Sequence, residues 1–340
     1  MPDPDPKPVL DLLHAFRASR TLFAAVRLRV FDHLADGNLL SCQDLAALTG
    51  AAAEPLSRLL NACCALAILT RDENGRYANT AAAETYLRQD APDSLSGYIL
   101  YSADTLWPLW HHLDDALRQG SPRWSQAFGV SGPLFSNCYR TPEARRQFLL
   151  GMHGFGRLSS REVVRVFNLA RFRTIADLGG ATGHLAIAAC ERYGHMEGIV
   201  FDLPEVVEFA QPFLAASRAA PRLKTAAGDF FRDPLPPADL YALGRILHDW
   251  GEDKISALLA RIYAALPPGG ALLIAETLLD DDGLGPLYSV LQSLNMLVCT
   301  EGRERNLAEY AALLEKAGFQ DIEARRTGAP LDALLAVRKQ

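Results

Sequence analysis

The chain has no two cysteines spaced as C-x-x-C. Its six cysteines stand at 42, 63, 64, 138, 190 and 299 of 340 residues. Several lie in apolar runs such as 61–69. This scatter argues against a zinc site or a disulfide frame and suits reduced core thiols. An excess of basic charge is also missing, with 34 Lys and Arg against 40 Asp and Glu. The formal net charge is −6, so no broad positive field is available for nucleic acid or an anionic membrane. Arginines recur from Arg140 to Arg173, but they alternate with apolar residues and read as a solvated helix face. Long apolar runs are missing, and none reaches the roughly 20 residues of a membrane span. Met1–Pro8 is rich in Pro and Asp and has neither a basic start nor an apolar stretch, unlike a secretion signal. A soluble, cytoplasmic protein is the expectation. Internal repeats and low-complexity tracts are absent as well.

What is present is enough apolar material for a large core, 49% of 340 residues, and length for two domains. The first part reads as helical. Apolar spacing of three and four predicts helices over Val9–Ser19, Leu22–Leu34, Leu45–Leu48 and Glu54–Leu69. Ser41 is a candidate N-cap and Gly50 a stop. Thr70–Thr80 reads as a hairpin turning at Glu73-Asn74-Gly75, which suggests a winged-helix shape. Helical segments continue from Ala81 to about Leu169, with Trp107 and Trp110 in one of them. Beyond Leu169–Thr174 the pattern becomes strand alternating with helix. Strands are expected at Thr174–Leu178, Gly198–Leu203, Lys224–Ala227, Asp239–Leu247 and Ala271–Leu278. Helices are expected at Gly183–Tyr193, Glu205–Ala216 and Asp253–Leu266. A last helix, Leu307–Ala317, precedes strand candidates Asp321–Arg325 and Ala333–Val337. Such alternation implies an open α/β sheet, mostly parallel, with helices on both faces.

The turn Asp177-Leu178-Gly179-Gly180-Ala181-Thr182-Gly183 follows one strand and opens a helix. Small residues at 179, 181 and 183 let backbone approach a ligand. Ligands of such sheets sit beyond the carboxyl ends of the strands. The turn fails as a dinucleotide fingerprint, because Ala181 and His184 occupy the second and third glycine positions counted from Gly179. It fails as a P-loop for want of Gly-Lys-Ser/Thr. An acid before the turn suits a cationic ligand end better than a pyrophosphate. Asp202 ends the next strand, where a carboxylate can accept ribose hydroxyls. Asp229 ends the one after, beside Phe230 and Phe231, and can receive an adenine amino group.

Several stretches together resemble the small-molecule O-methyltransferases, closest to the acetylserotonin branch. They are 177–183, Phe201-Asp202-Leu203-Pro204, Gly228-Asp229-Phe230-Phe231, Ile246-Leu247-His248-Asp249-Trp250 and 266–270. Glu276–Asp280, Ser293–Val298 and Thr300–Arg305 carry the branch-level likeness. The resemblance is strong from about 170 onward and looser over 9–165. It implies S-adenosylmethionine as cofactor and a Rossmann-like catalytic domain (170–340). Before that it implies a winged-helix-like dimerisation region (1–90) and a helical linker with substrate and dimer contacts (91–169). It implies a homodimer acting on a small aromatic acceptor, with no metal. The cofactor residues it implies are Tyr139, Asp177, Gly179, Gly180, Gly183, Asp202, Leu203, Gly228, Asp229, Phe230, Arg245 and Trp250. Asp249, Asn295 and Cys299 are expected at the acceptor. Trp107 and Trp110 read as core or dimer-interface residues, although the family has substrate-facing aromatics near there.

Methyl transfer to a phenol needs the hydroxyl proton removed, since a phenol ionises near pH 10. His248, just past a strand on the ligand side, matches the family's general base. A carboxylate orienting the imidazole fixes its tautomer. Glu276 and Glu304 match the flanking positions. Glu301 competes with Glu304, and the motif alignment favours Glu304. Three positions depart from the pattern. Ala181 replaces a glycine, Cys299 stands where glutamine is usual, and Gly156 stands where a bulky aromatic often faces the cofactor. Transfer to a heteroaromatic nitrogen and a non-catalytic scaffold are the competing readings. A third, a DNA-binding regulator, would use 54–69 as recognition helix, yet that segment offers little beyond Arg58.

Overall fold

A computed structural model describes residues 4–339 of the chain. The Met1–Pro8 reading falls partly on residues 1–3, which lie outside the described residues. The chain divides into two compact units, Met1–Trp107 with Glu143–Gly154 and Pro108–Pro142 with Phe155–Gln340.

In the first unit, Lys7–Arg27 is one continuous helix. The break expected after Ser19 is absent, because nothing at Arg20 or Thr21 opposes helix. The chain turns instead at Arg29, whose φ is 56°, and resumes as Val30–His33. Ser41 caps Cys42–Thr49 through a capping box with Asp44, and Gly50 ends that helix at φ 70°. Ala53–Ala65 stops short of the expected Leu69. Ala67 goes left-handed there, and Leu69 already belongs to a strand. Strands β1 (Leu69–Arg71) and β2 (Tyr77–Asn79) form the expected hairpin. Phe31, Leu45, Leu56, Leu60 and Tyr77 meet in one core. Helices followed by a short hairpin give the winged-helix order. The outer face of Ala53–Ala65 is exposed, and its Arg58 pairs with Glu54 at 2.6 Å.

The second unit is built on seven strands. Five of these are β3 (Thr174–Leu178), β4 (Glu197–Asp202), β5 (Leu223–Ala227), β6 (Leu240–Gly244) and β7 (Ala271–Glu276), and the other two lie near the end of the chain. Two-residue strands β8 (Leu278–Leu279) and β9 (Arg305–Asn306) form a separate bridge. Strands β10 (Gln320–Arg325) and β11 (Asp332–Val337) close the chain. The sheet order is β10-β11-β7-β6-β3-β4-β5. The pairs among β3 to β7 are parallel, and β11 runs antiparallel to both its neighbours. Residue alternation along the strands feeds two cores. Ala176, Leu178, Tyr241 and Ile274 pack on one face, and Ile175, Leu240, Ala242 and Leu273 on the other.

Two strands end earlier than their sequence pattern predicts. Strand β6 ends at Gly244 rather than Leu247, because Arg245 adopts φ 59° and Leu247–Asp249 wind into a single 3-10 turn. Strand β7 ends at Glu276 rather than Leu278. The helix Leu287–Cys299 had no assigned counterpart in the sequence reading, despite its apolar Leu287, Val290, Leu291, Leu294 and Leu297. Among the described residues no helix is long and apolar enough to cross a membrane.

Candidate active site

Strand β3 is central, with β4 and β5 on one side and β6 and β7 on the other. The order of strands reverses between β3 and β6, and crevices form at such switch points. The glycine turn leaves β3 there. Gly179, Ala181 and Gly183 all have positive φ, at 67°, 48° and 78°. Space is as restrictive as conformation. A Cβ on Gly179 would lie 2.6 Å from Ile246, and one on Gly183 2.7 Å from Val200. Ala181 carries its methyl in a left-handed conformation, at a cost of roughly 1 kcal/mol. The departure from glycine is thus accommodated with mild strain.

Asp177 is buried beneath this turn. Its Oδ2 accepts the Ala186 N–H at 3.3 Å, and a Cβ on Gly180 would meet its carboxyl carbon at 2.8 Å. Burial pushes its pKa up to about 7. Asp202 Oδ2 accepts the Ala181 N–H at 2.9 Å and its Oδ1 the Leu203 N–H at 2.8 Å. Burial raises this acid to about 6. Asp229 caps its own turn, accepting the Phe231 N–H at 2.8 Å. Gly228 is held against Phe201, where a Cβ would sit 2.5 Å from the ring.

An aromatic chain borders these acids. Phe230 lies 4.8 Å from Phe231, which meets Trp250 edge-on at 5.2 Å. Phe135 stands 5.9 Å from Trp250 and 5.8 Å from Tyr139. The Trp250 indole N–H is buried without a partner among the described residues. The Arg245 guanidinium lies 4.8 Å over the Phe155 ring.

These features fit S-adenosylmethionine. The turn is built mostly of small residues, and the raised acids Asp177 and Asp202 gain from a cation or hydroxyl donors. An unpartnered indole N–H stands among stacked rings. Asp177 contacts the turn and the helix that follows it, through Gly180 and the Ala186 N–H.

His248 sits in the 3-10 turn after β6. Its Nδ1 is 2.6 Å from Glu304 Oε1 and 3.4 Å from Glu276 Oε2. Its Nε2 is 3.8 Å from Asp249 Oδ1. Glu276 also accepts the Ile246 and Leu247 N–H groups at 3.0 and 2.9 Å, which pins the turn that carries the histidine. The bridge of Leu278 to Arg305 brings Glu304 beside Glu276. Glu301 instead pairs with Lys254 and accepts the Gly251 N–H, so Glu304 is the one of the two that meets the imidazole.

The ordinary imidazole pKa is near 6.5, and that of His248 lies higher. Burial alone lowers it, but Glu276, Glu304 and Asp249 more than reverse this and bring it to about 10. Burial lifts Glu276 to about 7 and Asp249 to about 6, in each case against the pull of His248.

Asn295 and Cys299 lie one turn apart on Leu287–Cys299. The Trp110 indole donates to Asn295 Oδ1 at 2.8 Å, and Cys299 Sγ approaches the same oxygen at 3.7 Å. Trp110 is thereby tied to an expected acceptor residue rather than being only a core residue. Burial, with Cys138 and Asp249 nearby, pushes the Cys299 thiol well up. Two further residues, unexpected from sequence, build the site. A Cβ on Gly302 would lie 2.7 Å from Trp250 N, so glycine is required for this close approach. Arg305 is fully buried and reaches the Trp250 carbonyl at 3.5 Å. Both lie in the run 300–305, whose resemblance to the family is the sequence signal that marks them.

The O-methyltransferase domain family matches residues 110–320, and its dimerisation domain matches 10–89. The chain belongs to the O-methyltransferase family. Acetylserotonin O-methyltransferase of Bos taurus is 46% identical over 330 residues, covering 95% of each chain. A probable bifunctional dTTP/UTP pyrophosphatase/methyltransferase protein of Homo sapiens is 42% identical over 337 residues. The chain spans only 54% of that longer relative. The crystal structure of human N-acetylserotonin methyltransferase in complex with SAM superposes with a TM-score of 0.94 at 40% identity, covering 100% of this chain and 99% of that one. The fold read from the motifs, a Rossmann-like sheet after a helical dimerisation region, is the fold of this family.

Proposed function

We propose that the chain methylates the hydroxyl of a small aromatic acceptor of the hydroxyindole type, using S-adenosylmethionine. The carrying observation is the 2.6 Å contact of His248 Nδ1 with Glu304, which leaves Nε2 for the acceptor. Bound cofactor supplies an electrophilic methyl on a sulfonium. Asp202, Leu203, Gly228, Asp229, Phe230, Trp250, Tyr139 and Arg245 are the residues that would hold it around the turn 177–183. His248 Nε2 takes the hydroxyl proton. Glu304 and Glu276 hold the imidazole in one orientation and stabilise it once protonated. The surrounding acids raise the proton affinity of the imidazole, so the form that accepts the hydroxyl proton grows as pH rises. Asn295, Cys299 and Asp249 border the acceptor. Retaining two fully buried acids, Glu276 and Glu304, against one imidazole is costly, which supports an active enzyme over a scaffold.

Residues 1–90 carry dimerisation, 91–169 link and shape the acceptor site, and 170–340 hold the cofactor. The working unit is a homodimer, supported by the dimerisation-domain match. The test is a panel of phenols, hydroxyindoles and heteroaromatic amines with S-adenosylmethionine, read by mass gain of one methyl. Methylated hydroxyindoles or phenols are expected. Methylation of amines alone overturns the oxygen acceptor.

A further inference from the structure

Gly156 lies on the helix Pro142–Arg165, one residue after the ring that carries Arg245. A Cβ at 156 would collide with the His184 imidazole, 2.6 Å from its Cδ2 and closer still to Nε2 and Cε1. The ring therefore fills the volume that a side chain at 156 would take. His184 is the first helical residue after Gly183, so its backbone continues the glycine turn. Ser160 secures the ring. Its Oγ donates to the Gly156 carbonyl at 2.8 Å and stands 2.9 Å from His184 Nδ1. The ring turns its Nε2–Cε1 edge toward Gly156.

We propose that His184, latched by Ser160 and admitted by Gly156, is a cofactor-positioning residue that walls the cleft beside the turn 179–183. This rests on the reading of that turn as the S-adenosylmethionine site. Positions 156 and 184 act as a steric pair, in which one may be bulky only when the other is small.

The experiment compares the full chain with His184→Ala, Ser160→Ala, Gly156→Phe and the double variant Gly156→Phe/His184→Ala. Melting curves come first. S-adenosylhomocysteine binding is then measured by calorimetry, and KM separately for S-adenosylmethionine and for the acceptor. His184→Ala should weaken cofactor binding about tenfold, with the acceptor KM unchanged. Ser160→Ala should shift the same parameter in the same direction by less. Gly156→Phe alone should lose more, and the double variant should recover much of that loss. Unchanged cofactor binding in His184→Ala, beside a wild type that binds, overturns the inference and leaves the turn's role intact. Losses that simply add in the double variant overturn the pairing. A wild type that binds no S-adenosylhomocysteine overturns the underlying reading instead. If Gly156→Phe does not fold, the two milder variants decide.

Discussion

An imidazole in water gives up its proton near pH 6.5. His248 holds its proton to about 10, because the pull of Glu276, Glu304 and Asp249 outweighs the opposing effect of burial. The basic form therefore grows as pH rises above neutral, and the ascending limb of kcat/KM should lie well above pH 7. Glu276→Gln retains an oxygen for the Ile246 and Leu247 N–H groups but removes a negative charge. It should move that limb to lower pH. A limb centred near 6.5 and indifferent to this substitution contradicts the electrostatic account. Asp177 carries the opposite consequence. Burial raises its folded pKa to about 7, above its unfolded value, so ionising it weakens the fold as pH climbs between those values. Above pH 7 that cost is on the order of 4 kcal/mol. In the ligand-free chain, Asp177→Asn should raise the melting temperature at pH 8 and change it little at pH 4. A lower melting temperature at pH 8 would count against a strained, buried carboxylate.

At the scale of elements, short pieces of backbone do most of the positioning. The 3-10 turn Leu247–Asp249 aims the histidine, and the two-residue bridge β8–β9 delivers Glu304. Gly302 lets the chain pass against the backbone of residues 248–250. Gly302→Ala would place a methyl 2.8 Å from the Asp249 carbonyl carbon. It should lower kcat about tenfold or more by displacing the turn, while circular dichroism stays near wild type. Unchanged kcat removes Gly302 from the positioning set. These elements also explain what the sequence could and could not disclose. Strand β3 was readable to the residue, since an apolar run ends on a glycine turn that few structures need. The capping box at Ser41 and Asp44 was readable in part, as Ser41 and Gly50 bracket the helix. A bridge of two residues has no period, so β8 and β9 were invisible. The charge of His248 was hidden for another reason. It depends on acids 28 and 56 residues away in the chain, which only the sheet and the bridge bring together.

For the whole molecule, the dimerisation-domain match agrees with an exposed apolar face on the first helix. Val9, Leu12, Leu13 and Phe16 are each more than half exposed, an arrangement that favours a covering partner. Replacing Leu12 and Phe16 with Glu should convert a dimer to a monomer in light scattering, and an unchanged dimer mass would move the interface elsewhere. The central claim is that one histidine separates holding the cofactor from using it. It is tested most directly by His248→Ala, with S-adenosylhomocysteine affinity from calorimetry and methyl transfer from product mass. Affinity should stay within a few-fold of wild type while turnover falls roughly 10²–10⁴-fold. Turnover close to wild type in that variant would contradict the account.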